Sequence, residues 1–434
     1  MKEVLENGFT ISTLFGGTVK VEKYLAEGGQ GRVYIVDYNG LRKVLKWYKK
    51  GALGSDANAF YENIRQNVIR GCPSQEFLWP LDITEKRDGT FGYIMDLRPD
   101  DYHEITEFML CHIRFKSYRT IIDAAMKIVS AFRILHNMGY SYQDLNDGNF
   151  FVNPKNGKVL ICDNDNIAPD GMETGIIGKP RYMAPEIVLH KSQPNSLSDR
   201  FSMSIILYIL FCLNHPLEGK RYLVSGLTPA IQEKLYGSEP LFIMDPDDKS
   251  NGPHPVIHNN TSTVWPCLPD YMQRIFLTAF SQKALKKPSS RPREIDWLNA
   301  LTRFRSEIVA CQCGNEIFTQ QGAPCRCERC GKKAHIPFKL VLSGYSIPAI
   351  KDSRVYRCQL GVCDEKDALT PVVQVVEKRE TGILGIRNMS DRRWDAITTK
   401  GEVRKVAPDE VIPLKNGIVI NIGDESVTIK SNEQ

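Results

Sequence analysis

The sequence contains the run Tyr142-Gln143-Asp144-Leu145-Asn146-Asp147-Gly148-Asn149, which is followed by an apolar stretch at residues 159–161 and then by Asp163. The run sets a carboxylate at Asp144 and an amide five residues later, and Asp163 adds a second carboxylate after a predicted hairpin. Asp and Asn are frequent in turns for ordinary conformational reasons, so this spacing alone indicates little. The order of the segments around it decides its meaning.

A glycine-rich turn and a lysine-bearing strand lie upstream of this run. Residues 8–97 alternate apolar and polar positions between glycine-rich turns, which predicts a mostly antiparallel sheet with one inserted helix. Within it, residues 25–34 predict a strand, a turn at Gly28-Gly29-Gln30-Gly31 and a second strand, and Lys46 lies on the next predicted strand. A glycine turn alone is usually a plain turn, but the lysine at this separation strengthens the signal.

Three further segments follow downstream. Residues 178–186 end in Ala184-Pro185-Glu186, Asp199 opens a strongly apolar predicted helix, and residues 287–292 supply a late arginine, Arg291. Ahead of the central run, residues 120–137 carry apolar positions at helical spacing, which predicts a helix with one buried face.

In this order the segments resemble those of the protein kinase family, of the bacterial serine/threonine type, over roughly residues 10–305. The resemblance implies an α+β, bilobal protein-kinase-like fold and an ATP-dependent enzyme that phosphorylates serine or threonine hydroxyls. It implies that Asp144 accepts the proton of the substrate hydroxyl, that Asn149 and Asp163 hold Mg²⁺, and that Lys46 binds phosphates of ATP. Arg291 would pair with Glu186.

The resemblance also assigns the other residues around ATP. The predicted helix at residues 57–71 offers Glu62 as the acid that pairs with Lys46, with a solvent-facing glutamate as the alternative. Residues 92–97 predict the last strand of the small lobe and a hinge whose backbone would bind adenine. The residues assigned to ATP in this way are Gly28, Gly31, Val33, Lys46, Glu62, Met95, Asp96, Leu97, Asn149 and Asp163.

Several positions depart from the family pattern. Ala26 stands at the first loop glycine, Gln143 replaces the arginine before the catalytic aspartate, and Asp163-Asn164-Asp165 replaces Asp-Phe-Gly. Without that arginine the chain is of the non-RD type, so its activation loop needs no phosphate to fold. Asp165 competes with Asp163 for the metal role, and Asp163 is preferred because it directly follows the apolar strand.

A lysine that steadies the transferred phosphate is also replaced. Serine/threonine kinases carry it two residues after the base, where this chain has Asn146, and Lys179 stands where they usually have a threonine. We expect Lys179 to supply the lost positive charge. The alternative is a solvated surface lysine.

Composition limits the remaining choices. The 434 residues exceed one ordinary core and fit two or three domains, and 42% hydrophobic with 25% charged residues is typical of a globular protein. A net charge of +5 gives no argument for nucleic acid or membrane binding. The first seven residues lack the apolar run of a secretory signal, which favours the cytoplasm. The longest apolar stretch, residues 203–213, is too short to span a bilayer and predicts a buried helix.

Five of the twelve cysteines fall between residues 311 and 330. Cys311 and Cys313 form one short hook and Cys327 and Cys330 form another, and each hook is followed by glycine. Two hooks can direct four thiolates to one Zn²⁺, so a structural zinc ribbon is predicted rather than disulfides. Cys325 and His335 remain open as substitutes for one ligand.

After residue 336 the pattern changes to short β runs at residues 355–358, 372–376 and 418–422, which predicts a β-sandwich. Residues 414–423 resemble the closing strands of forkhead-associated domains, which bind phosphothreonine, and docking without phosphate recognition is the alternative. The combination resembles bacterial kinases that accompany a von Willebrand A protein and a metal-dependent protein phosphatase in tellurite-resistance systems.

The domains predicted are a kinase-like domain over 1–305 (small lobe 1–97, large lobe 98–305), a zinc ribbon over 306–336 and a forkhead-associated-like interaction domain over 337–434. The function predicted is that of a serine/threonine protein kinase using ATP, Mg²⁺ and Zn²⁺. The rival hypothesis is a pseudokinase scaffold that binds nucleotide and recruits a partner, which Ala26, Asn146 and Asn164 favour.

Overall fold

The computed structural model describes residues 4–53, 57–172, 178–361 and 368–432. The chain divides into two compact units. The first comprises Met1–Phe115, Ala131–Leu268 and Phe276–Pro292, and the second comprises Lys116–Ser130, Pro269–Ile275 and Arg293–Gln434.

The first unit begins with a six-stranded antiparallel sheet in the order β1-β2-β3-β4-β6-β5. Its strands are β1 (Thr10–Ser12), β2 (Thr18–Glu27), β3 (Gly31–Tyr38), β4 (Leu41–Tyr48), β5 (Asp82–Ile83) and β6 (Gly92–Met95). Between β4 and β5 the chain forms helix α1 (Ala57–Arg70), which packs Phe60 and Ile64 into an apolar cluster with residues of the sheet. The predicted antiparallel sheet and its inserted helix are confirmed.

The chain after this sheet is mainly helical, with short strand pairs around the central run. The strands are β7 (His103–Glu104), β8 (Tyr140–Ser141), β9 (Phe150–Val152), β10 (Val159–Ile161) and β11 (Ala168–Pro169). The helices are α2 (Ile105–Met109), α3 (Tyr118–Asn137), α4 (Pro185–Val188), α5 (Ser196–Cys212), α6 (Pro229–Glu233), α7 (Asn259–Val264), α8 (Asp270–Ala279), α9 (Gln282–Lys286) and α10 (Glu294–Glu307). Strands β9 and β10 pair antiparallel and form the hairpin predicted between Asn149 and Asp163.

Helix α5 is the buried helix that the longest apolar stretch predicts. From Ser198 to Cys212 nearly all of its residues are buried, and Asn195 caps its N-terminus by accepting hydrogen bonds from the backbone of Leu197 and Ser198. Within the described part of the chain, no helix has both the length and the apolar character needed to cross a membrane.

The second unit is rich in β-structure after α10. Its strands are β12 (Ile308–Ala310), β13 (Glu316–Phe318), β14 (Phe338–Leu342), β15 (Tyr345–Ala349), β16 (Arg354–Tyr356), β17 (Pro371–Glu377), β18 (Leu384–Asn388), β19 (Trp394–Ile397), β20 (Val403–Val406), β21 (Val411–Pro413), β22 (Val419–Ile422) and β23 (Glu425–Ser431). Strands β12 and β13 form a hairpin beside the cysteines.

The other ten strands form two antiparallel sheets, in the orders β15-β14-β23-β22-β19-β20 and β16-β17-β18-β21. Buried side chains of both sheets, including Leu340, Val373, Ile386 and Trp394, belong to one hydrophobic core. Two sheets sharing one core are the arrangement of a β-sandwich, as the alternation of short β runs predicts.

Candidate functional site

The six-stranded sheet brings together the segments assigned to nucleotide binding. The N–H of Gly28 donates to the carbonyl of Gly31 over 2.8 Å, which closes the turn between β2 and β3. In the sheet register, Val33 lies opposite Lys46 and Val44 lies opposite Met95. Beyond β6, Asp96 forms an ion pair with Lys43 and Leu97 is partly exposed.

Lys46 forms ion pairs with two acids from the segment after β10. Its Nζ lies 2.8 Å from Oδ2 of Asp165 and 3.2 Å from Oδ1 of Asp163. Burial alone would lower the pKa of Lys46, but the negative charges of Asp165 and Asp163 outweigh burial and raise it. The lysine therefore stays charged inside the protein.

Glu62 is not the partner of Lys46, which corrects the expectation from sequence. It lies on the exposed face of α1, where its carboxylate accepts hydrogen bonds from Arg65 and Gln66, each over 2.7 Å. The neighbouring Asn63 is on the buried face and donates to the carbonyl of Ile167 over 2.8 Å. The physical reason is helix register, since successive residues of a helix point about 100° apart and α1 buries the position next to Glu62.

The two acids beside Lys46 have different surroundings. The Asp165 side chain is completely buried, its Oδ2 also accepts a hydrogen bond from the Tyr48 hydroxyl, and its Oδ1 has no hydrogen-bond partner among the described residues. Burial raises the pKa of Tyr48 well above its usual value, so the phenol keeps the proton that it donates. The Asp163 side chain, by contrast, is 44% exposed and can reach a ligand.

Asp199 on α5 fixes the backbone of the loop that carries Asp144. Its carboxylate accepts hydrogen bonds from the N–H groups of Tyr142 over 2.6 Å and Gln143 over 3.2 Å. At the other end of the loop, the side-chain amide of Asn149 donates to the backbone carbonyl of Asp144 over 2.9 Å. These contacts hold Asp144 and Asn149 in a fixed relation.

Asp144, Asn146 and Lys179 form a chain of hydrogen bonds. The amide of Asn146 donates to Oδ1 of Asp144 over 3.3 Å, and Nζ of Lys179 donates to Oδ1 of Asn146 over 2.9 Å. Burial, and then the charge of Asp163, raise the pKa of Asp144 to about 6, against the smaller lowering effects of Asn146 and Lys179. Lys179 thus lies beside the acid predicted to be the base.

The predicted pair of Glu186 and Arg291 is confirmed. Both terminal nitrogens of Arg291 donate to the carboxylate of Glu186 over 2.7 Å, and Nη1 also donates to the carbonyl of Leu197 over 2.8 Å. The arginine side chain is 1% exposed. This two-pronged pair ties α4 to the segment after α9, and the bond to Leu197 ties that segment to the start of α5.

The four predicted zinc ligands converge in the second unit. The thiol sulfurs of Cys311, Cys313, Cys327 and Cys330 all lie within 4.8 Å of one another. Neither Cys325 nor His335 belongs to this group, and Cys325 instead donates to the carbonyl of Phe318 over 3.5 Å.

Backbone hydrogen bonds in the cluster favour the thiolate of Cys327, whereas, against a hydrogen bond from the Lys332 backbone, burial and the neighbouring thiols raise the pKa of Cys330. Gly314 and Gly331, which follow the two hooks, adopt positive φ angles of 82° and 69°. Backbone N–H groups of Cys330 and Arg329 donate to the Cys327 sulfur and lower its pKa. All cysteines in the described ranges are free thiols. Four sulfurs at this spacing fit the tetrahedral coordination of Zn²⁺.

Sequence reasoning missed three contributors to the site. The sequence patterns indicate Asp165 only as a metal ligand, whereas it is the closest partner of Lys46, and they indicate no role for Tyr48 or Asp199. A signal existed for Tyr48, because residues two apart on a strand share a face, so Tyr48 and Lys46 point the same way. For Asp199, the signal was an acid in the first turn of an otherwise apolar helix.

Comparison with known proteins identifies part of this architecture. Residues 81–236 match the family model described as the protein kinase domain. The matched segment contains Asp144, Asn149 and Asp163, and Lys46 lies before it. A solved structure, the kinase domain of Mycobacterium tuberculosis PknI, aligns with 69% of this chain and 98% of that chain at 17% identity, with a TM-score of 0.46.

Curated relatives cover about half of the chain. Serine/threonine-protein kinase Sgk1 of Danio rerio is 33% identical over 248 residues, which are 50% of this chain and 55% of that protein. Protein kinase C delta type of Mus musculus is 26% identical over 235 residues, which are 50% of this chain and 33% of that protein. The chain thus spans only part of the length of these relatives. Residues 81–236 are therefore similar to protein kinase domains, and these relatives include a serine/threonine kinase. The described chain has a kinase-like α+β fold that continues into a β-rich region.

Proposed function

We propose that this chain is a serine/threonine protein kinase that transfers the γ-phosphate of ATP to hydroxyl groups of proteins with the help of Mg²⁺. The observation that carries the proposal is the convergence of a buried, charged lysine, Lys46, with Asp163 and Asp165, close enough to Asp144 that the charge of Asp163 raises the pKa of Asp144. A cation for phosphates beside carboxylates for metal and proton is what phosphoryl transfer requires.

Asp144 is the proposed base. A carboxylate with a pKa of about 6 is largely deprotonated at neutral pH, and it accepts a proton more readily than an ordinary aspartate does. The hydrogen bonds of Tyr142 and Gln143 to Asp199 hold its backbone, so that the carboxylate keeps one position. An oriented base lowers the entropic cost of bringing the substrate hydroxyl into its reactive geometry.

Asn149 and Asp163 are the proposed Mg²⁺ ligands. Carboxylate and amide oxygens are hard donors that suit Mg²⁺, and the half-exposed Asp163 can reach an ion. Asp165 suits this role less well, because its side chain is completely buried and its Oδ2 is engaged by Lys46 and Tyr48. When bound, Mg²⁺ supplies charge neutralisation at the phosphate oxygens.

Lys46 is the proposed phosphate ligand, and Asp165 its positioning residue. In the pattern expected from sequence, an acid of α1 would orient the lysine, but Glu62 binds Arg65 and Gln66 instead. The buried carboxylate of Asp165, in the segment after β10, supplies this negative charge instead. Orientation of Lys46 then depends on the segment after β10.

Lys179 is proposed to act through Asn146 and Asp144. Its ammonium group lowers the pKa of Asp144 and lies 2.9 Å from Oδ1 of Asn146, the residue that replaces the usual lysine. A positive charge there stabilises the phosphate as it moves toward the hydroxyl. Around ATP, the proposed contacts are Gly28, Gly31 and Val33 over the phosphates and Met95, Asp96 and Leu97 at adenine.

The remaining assignments extend the proposal beyond the catalytic site. The cluster of four cysteines supports a structural Zn²⁺. The proposed domains are residues 1–305, 306–336 and 337–434. The resemblance stated above implies a cytoplasmic bacterial kinase whose partners include a von Willebrand A protein and a metal-dependent phosphatase, with the forkhead-associated-like domain as the docking module. Free cysteines are consistent with a reducing compartment.

A nucleotide-binding scaffold without catalysis is the second candidate. It is favoured by one observation, the replacement of the usual lysine by Asn146, whose amide occupies Oδ1 of Asp144. The two functions differ in whether phosphate is transferred.

The test is incubation of the purified full chain with Mg²⁺, ATP and a panel of serine- and threonine-containing peptides, with Asp144→Asn in parallel. Intact mass measures phosphate transfer to the chain itself or to a peptide. We expect transfer by the parent and a rate lower by about 10²–10⁴-fold in Asp144→Asn, the usual contribution of a positioned base. Stabilisation by ATP with no transfer to any acceptor would favour the scaffold and contradict the kinase.

A further inference from the structure

A cavity of about 310 Å³ opens within the second unit, and none of the residues assigned to catalysis lines it. Four cationic side chains line it, and a single acid, Asp352, accompanies them. The cations are Arg119, Arg305, Lys351 and Arg354. We call this cavity the arginine pocket. Such an excess of positive charge in one concave site attracts an anion.

Arg119, in the first turn of α3, has a guanidinium that forms no direct ion pair among the described residues, although the charges of Asp123 and Glu316 act on it. Its Nε is buried and has no hydrogen-bond partner among the described residues. The nearby carboxylate of Glu316 is already engaged, because it accepts hydrogen bonds from the backbone N–H groups of Tyr118 over 2.6 Å and Arg119 over 3.2 Å. A buried donor left without a partner is costly, which indicates that an acceptor completes the site.

Arg305 adds a second guanidinium to the same wall. Its Nε donates to Asp123 over 2.6 Å, so this acid too is engaged. Burial, and then the positive charge of Arg305, lower the pKa of Arg119. The two arginines therefore repel each other, and the charges of Asp123 and Glu316 counter this repulsion.

Arg354 and Lys351 are the other cations of the lining. Arg354 is exposed at the start of β16 and interacts with the Tyr356 phenol, which also faces Arg305. Asp352 is already an acceptor for the Gln374 amide over 3.3 Å, and Lys351 is 3.3 Å from Glu377 on the exposed surface. Asp352 and Glu377 are thus engaged by Gln374 and Lys351, and neither of them pairs with Arg119.

We propose that the arginine pocket binds a phosphate monoester. A guanidinium presents paired N–H donors that match two oxygens of one phosphate, and several guanidinium groups are needed to neutralise a dianion. The volume exceeds that of a phosphate group and leaves room for the molecule or side chain that carries it. This inference does not depend on catalysis by Asp144.

The experiment is calorimetric titration of the full chain with inorganic phosphate, with a phosphothreonine peptide and with the same peptide unphosphorylated. Arg354→Gln is the main variant, because the exposed position tolerates the change, and Arg119→Gln is the second. Arg379→Gln is the control, since Arg379 is exposed in the same unit and does not line the pocket. We expect each pocket variant to weaken binding by about tenfold or more and the control to bind like the parent.

The ligand series distinguishes two sources of the phosphate. Binding of the peptide only when it is phosphorylated, together with weak binding of inorganic phosphate, supports a phosphorylated side chain as the ligand. Comparable binding of inorganic phosphate supports a free phosphate compound. Absence of saturable binding of both, or binding that neither Arg354→Gln nor Arg119→Gln weakens, overturns the proposal.

Discussion

The cluster of four cysteines and the ion pairs of Lys46 differ in how far apart their parts lie in the sequence. All four cysteines fall within residues 311–330 and their sulfurs meet within 4.8 Å. Lys46 and Asp165 are 119 positions apart, and only the packing of β4 against the segment after β10 brings them together. A local site is specified by spacing, whereas a long-range site depends on which faces of distant elements become buried.

The largest effect is expected at the cluster of four cysteines, the local site. Cys311→Ser removes one of four thiolates, so tight zinc binding should be lost, while the parent carries about one zinc ion per chain. Cys325→Ser is the matched control, because Cys325 lies outside the cluster, and it should keep its zinc. Metal analysis after purification without chelator measures both. Zinc retained by Cys311→Ser, or missing from the parent, would be evidence against the ribbon.

The second effect concerns a long-range pair. Arg291→Gln leaves the carboxylate of Glu186 without its two-pronged partner, and we expect a loss of about 3 kcal/mol in the free energy of unfolding. Arg42→Gln is the control, since Arg42 and Glu22 form an exposed pair at 3.8 Å that should be worth less than about 1 kcal/mol. Urea denaturation of the two variants compares them. Equal losses would mean that the buried pair is not a structural tie.

The third effect is the pH dependence of catalysis. Because burial and Asp163 raise the pKa of Asp144 to about 6, the base takes up a proton as the pH falls through that value. We expect kcat/KM to fall about fivefold between pH 6 and pH 5, whereas an aspartate of ordinary pKa near 3.9 would keep it nearly constant there. Initial rates at limiting MgATP measure the profile, because kcat/KM then reports the free enzyme, in which no ion neutralises Asp163. A flat profile down to pH 5 would contradict the role of Asp144 in its buried setting.

The smallest effect is expected for Lys179. Removal of its positive charge raises the pKa of Asp144, so Lys179→Ala should move the midpoint of the pH profile upward and slow transfer by about fivefold at neutral pH. ATP titrates equally in both assays, so the difference between the midpoints of variant and parent does not depend on it. Lys191→Ala, an exposed lysine in the same stretch, is the control. Identical rates and midpoints for Lys179→Ala and the parent would remove Lys179 from the mechanism.

Sequence patterns predicted the regular elements of the fold well. The apolar spacing of residues 120–137 predicted a helix that runs from Tyr118 to Asn137, and the short β run at residues 372–376 predicted the strand Pro371–Glu377. These elements are encoded by periodicity over neighbouring residues, which tertiary context did not override. The convergence of the four cysteines was predicted from their spacing within residues 311–330, which is also a local signal.

Partners across long distances were harder to predict. The sequence predicts that Lys46 pairs with an acid. It indicates Glu62 on α1 as that acid, and it indicates Asp165 only as an alternative metal ligand. The choice depends on the rotation of α1, which buries Asn63 and Asn67 and exposes Glu62. Rotation of a helix is set by packing against other elements. The apolar pair Phe60 and Ile64, four residues apart, marks the buried face of α1, and Glu62 lies between them on the opposite side of the helix.

The central claim is that Asp165, and not an acid of α1, positions Lys46 for phosphate binding. The most direct test is the measurement of kcat and of KM for ATP in Asp165→Asn and in Glu62→Gln, with melting temperatures as a check of folding. We predict that Asp165→Asn lowers kcat/KM for ATP by about 100-fold, as expected for loss of a buried charge that orients a catalytic group, and that Glu62→Gln stays within about twofold of the parent. A large loss in Glu62→Gln together with near-parent activity in Asp165→Asn would contradict the claim.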